Sequence, residues 1–411
     1  MRAEITPVNL LWVMPAKGVV VHIVIIGAGI LGASAAFHLA RAGVRVTVID
    51  AQKDGRATAA GAGIVCPWVS GVQDPVFYRL YAAGGDYYPE LIAALAQAGQ
   101  TDLGYRRSGA MLVSADTQEL AWLERMARQR GVAAMGPLAM GVAAMPLAMG
   151  TVSRLSPADA QALFPPLNPD LGAVHVTGGA RVDGRRLAAA LLRAAESYGA
   201  TIMRGDAMLA VQADQIVGAD VAGARIAADR VLVTAGVWAD PLLRPLGFSL
   251  SVAPQRGQII HLRLEGVETE DWPVILPPGS HYIVPFDGGR IVVGATRETG
   301  AGLDYRVTAA GQAEVLSQAL RIAPGLGGAT IIETRVGFRP VGTEVRPLLG
   351  WVRGVQGLAV GNGLGAAGLT IGPFAGKLLA DLMTGQGATM DLTPFDPMRQ
   401  AAASMSLPDL R

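Results

Sequence analysis

Residues 19–26 carry almost only β-branched and apolar side chains, the composition of a strand buried on both faces of a parallel sheet. A glycine turn follows, and then residues 30–42 are alanine-rich with Phe37 and Leu39 on an apolar side and Gly43 placed as a helix stop. Residues 44–49 form a second apolar run. The chain therefore opens with a strand, helix, strand unit of the length a right-handed parallel crossover requires. Further along, residues 187–198 predict a helix closed by Gly199, and residues 229–234 predict a short strand before Ala235 and Gly236. Residues 251–264, 280–285 and 290–294 have strand composition, with Asp287-Gly288-Gly289 as a hairpin turn, so this stretch reads as antiparallel. From residue 357 the pattern of apolar strand, glycine loop and helix returns. One lobe is thus discontinuous, built from both ends of the chain, with a second, mostly antiparallel α+β lobe inserted; the class is α/β.

Composition narrows what these lobes do. The 411 residues suit two lobes, and 51% hydrophobic against 16% charged residues excludes global disorder. A net charge of +1 without a long basic run leaves no electrostatic footprint for nucleic acid. Cys66 is the single cysteine, which excludes an intramolecular disulfide and fits a reducing cytoplasm. His22, His38, His175, His261 and His281 show no metal-ligand spacing, so no metal is expected. No signal peptide is evident: the apolar patch at residues 10–14 ends at Pro15 and Lys17, and residues 1–18 read as a loose extension. The uncharged stretch at residues 131–153 is long enough for a membrane span, yet its four glycines (Gly131, Gly136, Gly141 and Gly150), two prolines (Pro137 and Pro146) and sparse leucine argue against one. It contains a tandem duplication over residues 131–149, read as a surface insertion, with a lid or a membrane-touching loop as the functional alternative.

The sharpest signal lies in the first turn. Gly27-Ala28-Gly29-Ile30-Leu31-Gly32 fits G-x-G-x-x-G between a buried strand and a helix. Gly27 permits the tight turn, Gly29 lets backbone approach a pyrophosphate, and Gly32 allows close packing of helix on strand. Asp50 ends the second strand, where a carboxylate accepts hydrogen bonds from an adenosine ribose. This pattern specifies a dinucleotide and does not separate NAD from FAD. Two later segments bear on that choice: the small-residue run from Arg56 to Trp68, and the glycine loop from Gly361 to Thr370, which opens a helix and aims backbone N–H groups at a negative centre.

These blocks, together with residues 178–183, 233–238, 254–258 and 337–340, follow one another in the order seen in the glycine oxidase, D-amino acid oxidase and D-amino acid dehydrogenase family of flavoproteins, which the chain resembles from about residue 19 to 383. The resemblance implies a Rossmann-like lobe holding FAD non-covalently, interrupted by a substrate lobe. It assigns residues 19–82, 152–250 and 333–411 to the cofactor lobe and residues 83–151 and 251–332 to the substrate lobe. It places FAD against Gly27, Gly29, Ile30, Gly32, Asp50, Ala59, Ala60, Gly63, Ile64, Ala235, Gly236, Trp238, Gly363, Gly365, Ala366, Gly368, Leu369 and Thr370.

The activity it implies is oxidation of a small amino acid or secondary amine, of D-amino acid, glycine, proline or sarcosine type, by hydride transfer to the flavin. The arginine of the G-x-R-P block, which would hold the substrate carboxylate by a two-pronged hydrogen bond, falls on Arg339, and Tyr282 is the phenol expected to orient substrate. Arg335 and Arg346 rank below Arg339 and read as partners of Glu333 or Glu344, while strand alternation would turn His281 away from Tyr282. Many members of the family carry histidine where this chain has Asn362. The sarcosine-oxidase branch uses a lysine near the flavin for reaction with oxygen, and lysine occurs here only at Lys17, Lys53 and Lys377. A dehydrogenase passing electrons to a quinone or dye-type acceptor is therefore expected ahead of an oxygen-using oxidase. A carrier-modifying flavoprotein and a non-catalytic flavin-binding subunit are the other readings. Expected placement is cytoplasmic, with peripheral contact to the inner membrane and a homo-oligomer left open.

Overall fold

The computed structural model describes residues 21–134, 148–387 and 389–399. The expected extension over residues 1–18 and most of the duplicated segment lie outside the described residues.

His22–Ile26 is fully buried along its length and forms the centre of a six-stranded sheet. Arg45–Asp50 pairs with it on one side and Arg230–Val233 on the other, both parallel, as βαβ units demand. Thr201–Arg204 and Leu358–Asn362 extend the sheet in parallel, and Leu348–Trp351 closes one edge antiparallel. The helices Ile30–Arg41 and Gly368–Thr384 pack together on one face, with Leu31, Ala35, Leu39, Leu378 and Leu379 sharing one core with Ile23 and Ile25. Small residues permit the contact: Ser34 Oγ donates to the Pro373 carbonyl at 2.6 Å, and a side chain at Gly376 would strike the Leu31 carbonyl. Segments from the start, middle and end of the chain thus meet in one lobe, which makes it discontinuous.

The second lobe is a nine-stranded sheet, antiparallel except where Val274–Leu276 runs parallel to Ala110–Ser114. Its spine is the pair Val252–Arg263 and Thr330–Gly342, paired from Val252 opposite Gly342 to Arg263 opposite Thr330 with a register shift between His261 and Leu262. Tyr282–Pro285 and Arg290–Gly294 form the expected hairpin, with Gly288 and Gly289 both at positive φ. The helix Ala309–Ile322 contributes Val315, Ala319 and Ile322 to the core beneath this sheet.

The lobe boundaries differ from the expected ones at three places. Val152–Leu155 and Gly172–Val176 belong to the nine-stranded sheet, and so does all of Thr330–Gly342. Pro75–Gln97, which a boundary at residue 83 would cut, is one helix; its Phe77 and Leu80 join the core of Ile30–Arg41 and Gly368–Thr384. Strand membership is decided by ladder hydrogen bonds between distant segments, to which local composition is blind. A further antiparallel three-stranded sheet, made by Ala207–Gln212, Gln215–Val221 and Ala224–Ala227, was absent from the sequence pattern's elements.

Candidate active site

A cavity of about 490 Å³ runs between the two sheets, and one end of it is built by the first glycine turn. Gly27 adopts φ +106°, and a Cβ there would lie 2.7 Å from the Thr234 carbonyl oxygen, so only glycine fits. Gly32 sits behind the turn, where a Cβ would come within 2.0 Å of the Gly27 carbonyl oxygen. Gly29 differs: a Cβ would meet only Thr58 Oγ1, at 3.3 Å, and the remaining space is the cavity. The helices Ile30–Arg41 and Gly368–Thr384 both begin without a side-chain cap from their N-cap residue, and Gly29, Ile30, Gly368 and Leu369 all face the cavity. Two helix N-termini therefore present positive ends to one space. Asp50 accepts from the backbone N–H groups of Ala28 and Gln52, each at 2.5 Å, and lines the same end.

This architecture fits FAD on its own geometry. The open space over Gly29 suits a pyrophosphate, Asp50 suits an adenosine ribose, and the second helix start suits the electron-rich pyrimidine edge of a flavin. Asn362 ties the two glycine loops together, its Nδ2 donating to the Gly236 carbonyl at 2.8 Å while its Oδ1 accepts from Gly363 N at 2.7 Å. In place of an imidazole, the chain has a buried amide that fixes backbone. Cys66 also lines the cavity, and burial pushes its thiol up to about 12, which makes it a poor nucleophile toward a flavin.

The other end of the cavity is lined by Tyr81, Leu276, His281, Tyr282, Arg297 and Arg339. Arg339 extends from Thr330–Gly342, and its guanidinium lies over Gly257 of the paired strand, where a Cβ would come within 2.6 Å of Nη1. Nη1 donates to the Thr296 carbonyl at 3.1 Å, which sets the plane of the fork. Lost hydration holds this guanidinium below its ordinary value, while Tyr282 beside it favours the charge. Lost hydration likewise raises the Tyr282 phenol, and Arg339 and Arg297 act against that rise. At neutral pH the pair is a cation beside a protonated hydroxyl.

Of the positions expected at the site, Gly27, Gly29, Ile30, Asp50, Ala60, Gly63, Ile64, Ala235, Gly236, Trp238, Gly365, Ala366, Gly368, Leu369, Tyr282 and Arg339 lie on the cavity wall. Gly32, Ala59, Gly363 and Thr370 do not. The Ala59 carbonyl accepts from Arg185 Nε at 3.0 Å and Arg335 Nη1 at 3.2 Å, and Thr370 Oγ1 donates to the Ile64 carbonyl at 3.0 Å. His281 faces the cavity along with Tyr282, because the strand begins only at Tyr282 and alternation does not govern the residue before it. Arg335 pairs with Glu333 as expected; Arg346 pairs with Asp74 at 2.8 Å, leaving Glu344 to Arg399 at 3.1 Å. Thr58, Tyr81 and Arg297 were missed. Thr58 was legible, since its hydroxyl accepts from Ile30 N at 2.9 Å and it sits within the small-residue run.

A mostly parallel sheet with a dinucleotide turn and two helix starts on one cavity define the fold and cofactor end of a dinucleotide-dependent oxidoreductase, and an arginine lies at the cavity's far end. Residues 22–382 match the family model described as FAD dependent oxidoreductase, and the chain belongs to that family. It is 47% identical over 375 residues to the oxidoreductase YurR of Bacillus subtilis (strain 168), covering 91% of this chain and 98% of that one. It is 30% identical over 385 residues to a glycine oxidase of Pseudomonas aeruginosa (strain ATCC 15692), covering 92% and 98%. Among solved structures, iminodiacetate oxidase from Chelativorans sp. BNC1 is 51% identical with a TM-score of 0.86, covering 91% and 98%. The chain is an FAD-dependent oxidoreductase acting on carbon–nitrogen bonds of amine or amino-acid substrates. Among the described residues no group of three or more His, Cys, Asp or Glu side chains could hold a metal ion, and no helix is long and apolar enough to cross a membrane.

Proposed function

We propose that this enzyme oxidises a small amine bearing an N–CH2–carboxylate unit, holding the carboxylate with Arg339. The carrying observation is the half-buried Arg339, on the cavity wall with its guanidinium laid over Gly257 and one donor on the Thr296 carbonyl. Bound FAD supplies the hydride-accepting ring. The protein's part is positioning: the arginine fork fixes the carboxylate in a plane, and the Tyr282 hydroxyl, kept protonated, donates to a substrate oxygen. The carboxylates on the cavity wall are Asp50 and Asp206, and Asp206 is ion-paired with Lys53 at 2.8 Å at the adenosine end. With no carboxylate at the substrate end to stabilise an ammonium, the site selects the uncharged amine. Glycine and iminodiacetate, named for two relatives, share the N–CH2–carboxylate unit and support the reading.

For the electron acceptor we favour a quinone or dye over oxygen, since the single lysine on the cavity wall is occupied by Asp206. Oxygen is the second reading, supported by the oxidases among the relatives. The test is an anaerobic flavin-bleaching screen against glycine, sarcosine, iminodiacetate, D-proline and D-alanine, followed by dye reduction and peroxide release with the best substrate. Bleaching by none of the five refutes the substrate class, and peroxide formed as fast as dye is reduced selects oxygen.

A further inference from the structure

Ala57–Ala60 is a single helical turn, and its residues Ala57, Thr58 and Ala60 line the cavity together with Gly61. So short a helix leaves its last carbonyls without partners of its own. The Ala59 carbonyl is closed from outside by two guanidinium groups, with Arg185 Nε donating at 3.0 Å and Arg335 Nη1 at 3.2 Å. These arginines come from different lobes. Arg185 stands in the helix Gly184–Ser197, which shares a core with Ile30–Arg41, and Arg335 stands in the strand Thr330–Gly342 of the nine-stranded sheet. Glu333 holds Arg335 in turn, accepting from its Nε at 2.6 Å. Two further contacts lie along the same seam. Phe338 N donates to the Gly55 carbonyl at 2.9 Å, and a Cβ at Gly337 would come within 2.4 Å of the Ala60 Cβ. The strand is thus seated on residues 55–60 through a backbone bond, a close approach at glycine and one charged side chain, Arg335. Neither Arg335 nor Arg185 lies on the cavity wall.

We propose that Arg335 and Arg185 form a clamp across the two lobes that positions the Ala57–Ala60 turn against bound FAD, which makes Arg335 a positioning residue for a cofactor it does not touch. The shared acceptor gives the clamp a signature. The Ala59 carbonyl is half-buried and has two lone pairs, so the loss of one arginine leaves it served by the other, while the loss of both leaves it without a protein donor. The effects of the two residues are therefore coupled, as effects of groups that meet at one atom are. Glu333 keeps the Arg335 guanidinium aimed at the carbonyl, and a lysine at 335 retains one cationic donor without that fixed plane.

The test follows release of FAD from the holoenzyme after dilution, by flavin fluorescence, in wild type, Arg335→Ala, Arg185→Ala, the double variant and Arg335→Lys. Visible circular dichroism of the bound flavin and the melting temperature are recorded beside it. Arg353→Ala, which removes an exposed arginine paired with Asp396 at 2.8 Å, is the control for loss of a guanidinium elsewhere. Because the remaining arginine still serves the carbonyl, each single variant releases FAD about three- to tenfold faster than wild type. The double variant exceeds the product of the two singles or retains no FAD at all. Arg335→Lys recovers part of the loss and of the flavin dichroism, and the control matches wild type. If Arg335→Ala yields no holoprotein, Arg335→Gln takes its place in the comparison. Release and flavin dichroism unchanged in Arg335→Ala, whatever its melting temperature, overturn the positioning role. A double variant equal to the product of the singles overturns the shared clamp, and so does a control that sheds FAD as fast as Arg335→Ala.

Discussion

Replacing Arg339 by alanine tests the substrate reading at the point where it is most exposed. The perturbation removes a cation whose environment is already costly: lost hydration disfavours its charge, and its one backbone acceptor is the Thr296 carbonyl at 3.1 Å. A carboxylate brought beside it in a partly desolvated space makes two charge-assisted hydrogen bonds, and truncating one partner of such a pair costs about 2 to 4 kcal/mol. At about 1.4 kcal/mol per tenfold, kcat/KM for a carboxylate substrate falls about 30- to 1,000-fold. FAD stays bound, because the residue lies at the opposite end of the cavity from Asp50 and the first glycine turn. Lysine recovers only part, since it keeps the charge and loses the planar fork. Gly257→Ala provides an orthogonal perturbation with no change in charge: its Cβ would come within 2.6 Å of Nη1, so the guanidinium is pushed out of plane and the same substrates suffer. The assay is the stopped-flow rate of flavin reduction for an amino acid and for its decarboxylated analogue. Equal losses for both compounds, or none for either, would show that Arg339 is structural and that the carboxylate is held elsewhere.

Gly29→Val leaves its Cβ tolerable beside Thr58 but drives its methyl groups into the cavity, so the protein should purify folded and nearly colourless while Asp50→Ala retains more flavin; a fully yellow Gly29→Val protein would refute the pyrophosphate placement. FAD is held without a covalent bond, so acid precipitation releases it into the supernatant, and Cys66, with its thiol pushed up to about 12, resists alkylation at pH 8 until the chain is unfolded. Flavin on the precipitate, or rapid labelling of the native protein, would contradict this. Burial holds the His38 imidazole down at about 3 against 6.5 for an ordinary histidine, with Tyr87 Oη 2.8 Å from its Nε2. The unfolded chain takes up that proton first, so the contribution is complete above about pH 6.5 and is lost as pH falls toward 3, by at most about 1.4 kcal/mol per unit. His38→Gln should therefore lose less melting temperature than wild type between about pH 6.5 and 4, and equal slopes would refute the assignment.

Much of this protein is legible in its sequence. The run from His22 to Ile26, the glycines at 27, 29 and 32 and the carboxylate at 50 are close in sequence, and each obeys a local steric rule, so one short segment announces a dinucleotide turn. Arg339 was reached by its place in an ordered series of blocks resembling a known family, and the structure puts it on the cavity wall. What local pattern could not supply was pairing between distant strands. The strands Val152–Leu155, Gly172–Val176 and Thr330–Gly342 carry the same alternation whichever sheet they join, and only their ladders assign them to the second lobe. The same blindness hid Arg297, one arginine among many until Thr296 and Glu298 on either side of it were seen anchored into the sheet. Local sterics decide turns and helix starts because their causes lie within a few residues. Which charge faces the cavity depends on partners more than forty positions away, as with Thr296 and Arg339, and that is a property of the folded chain alone.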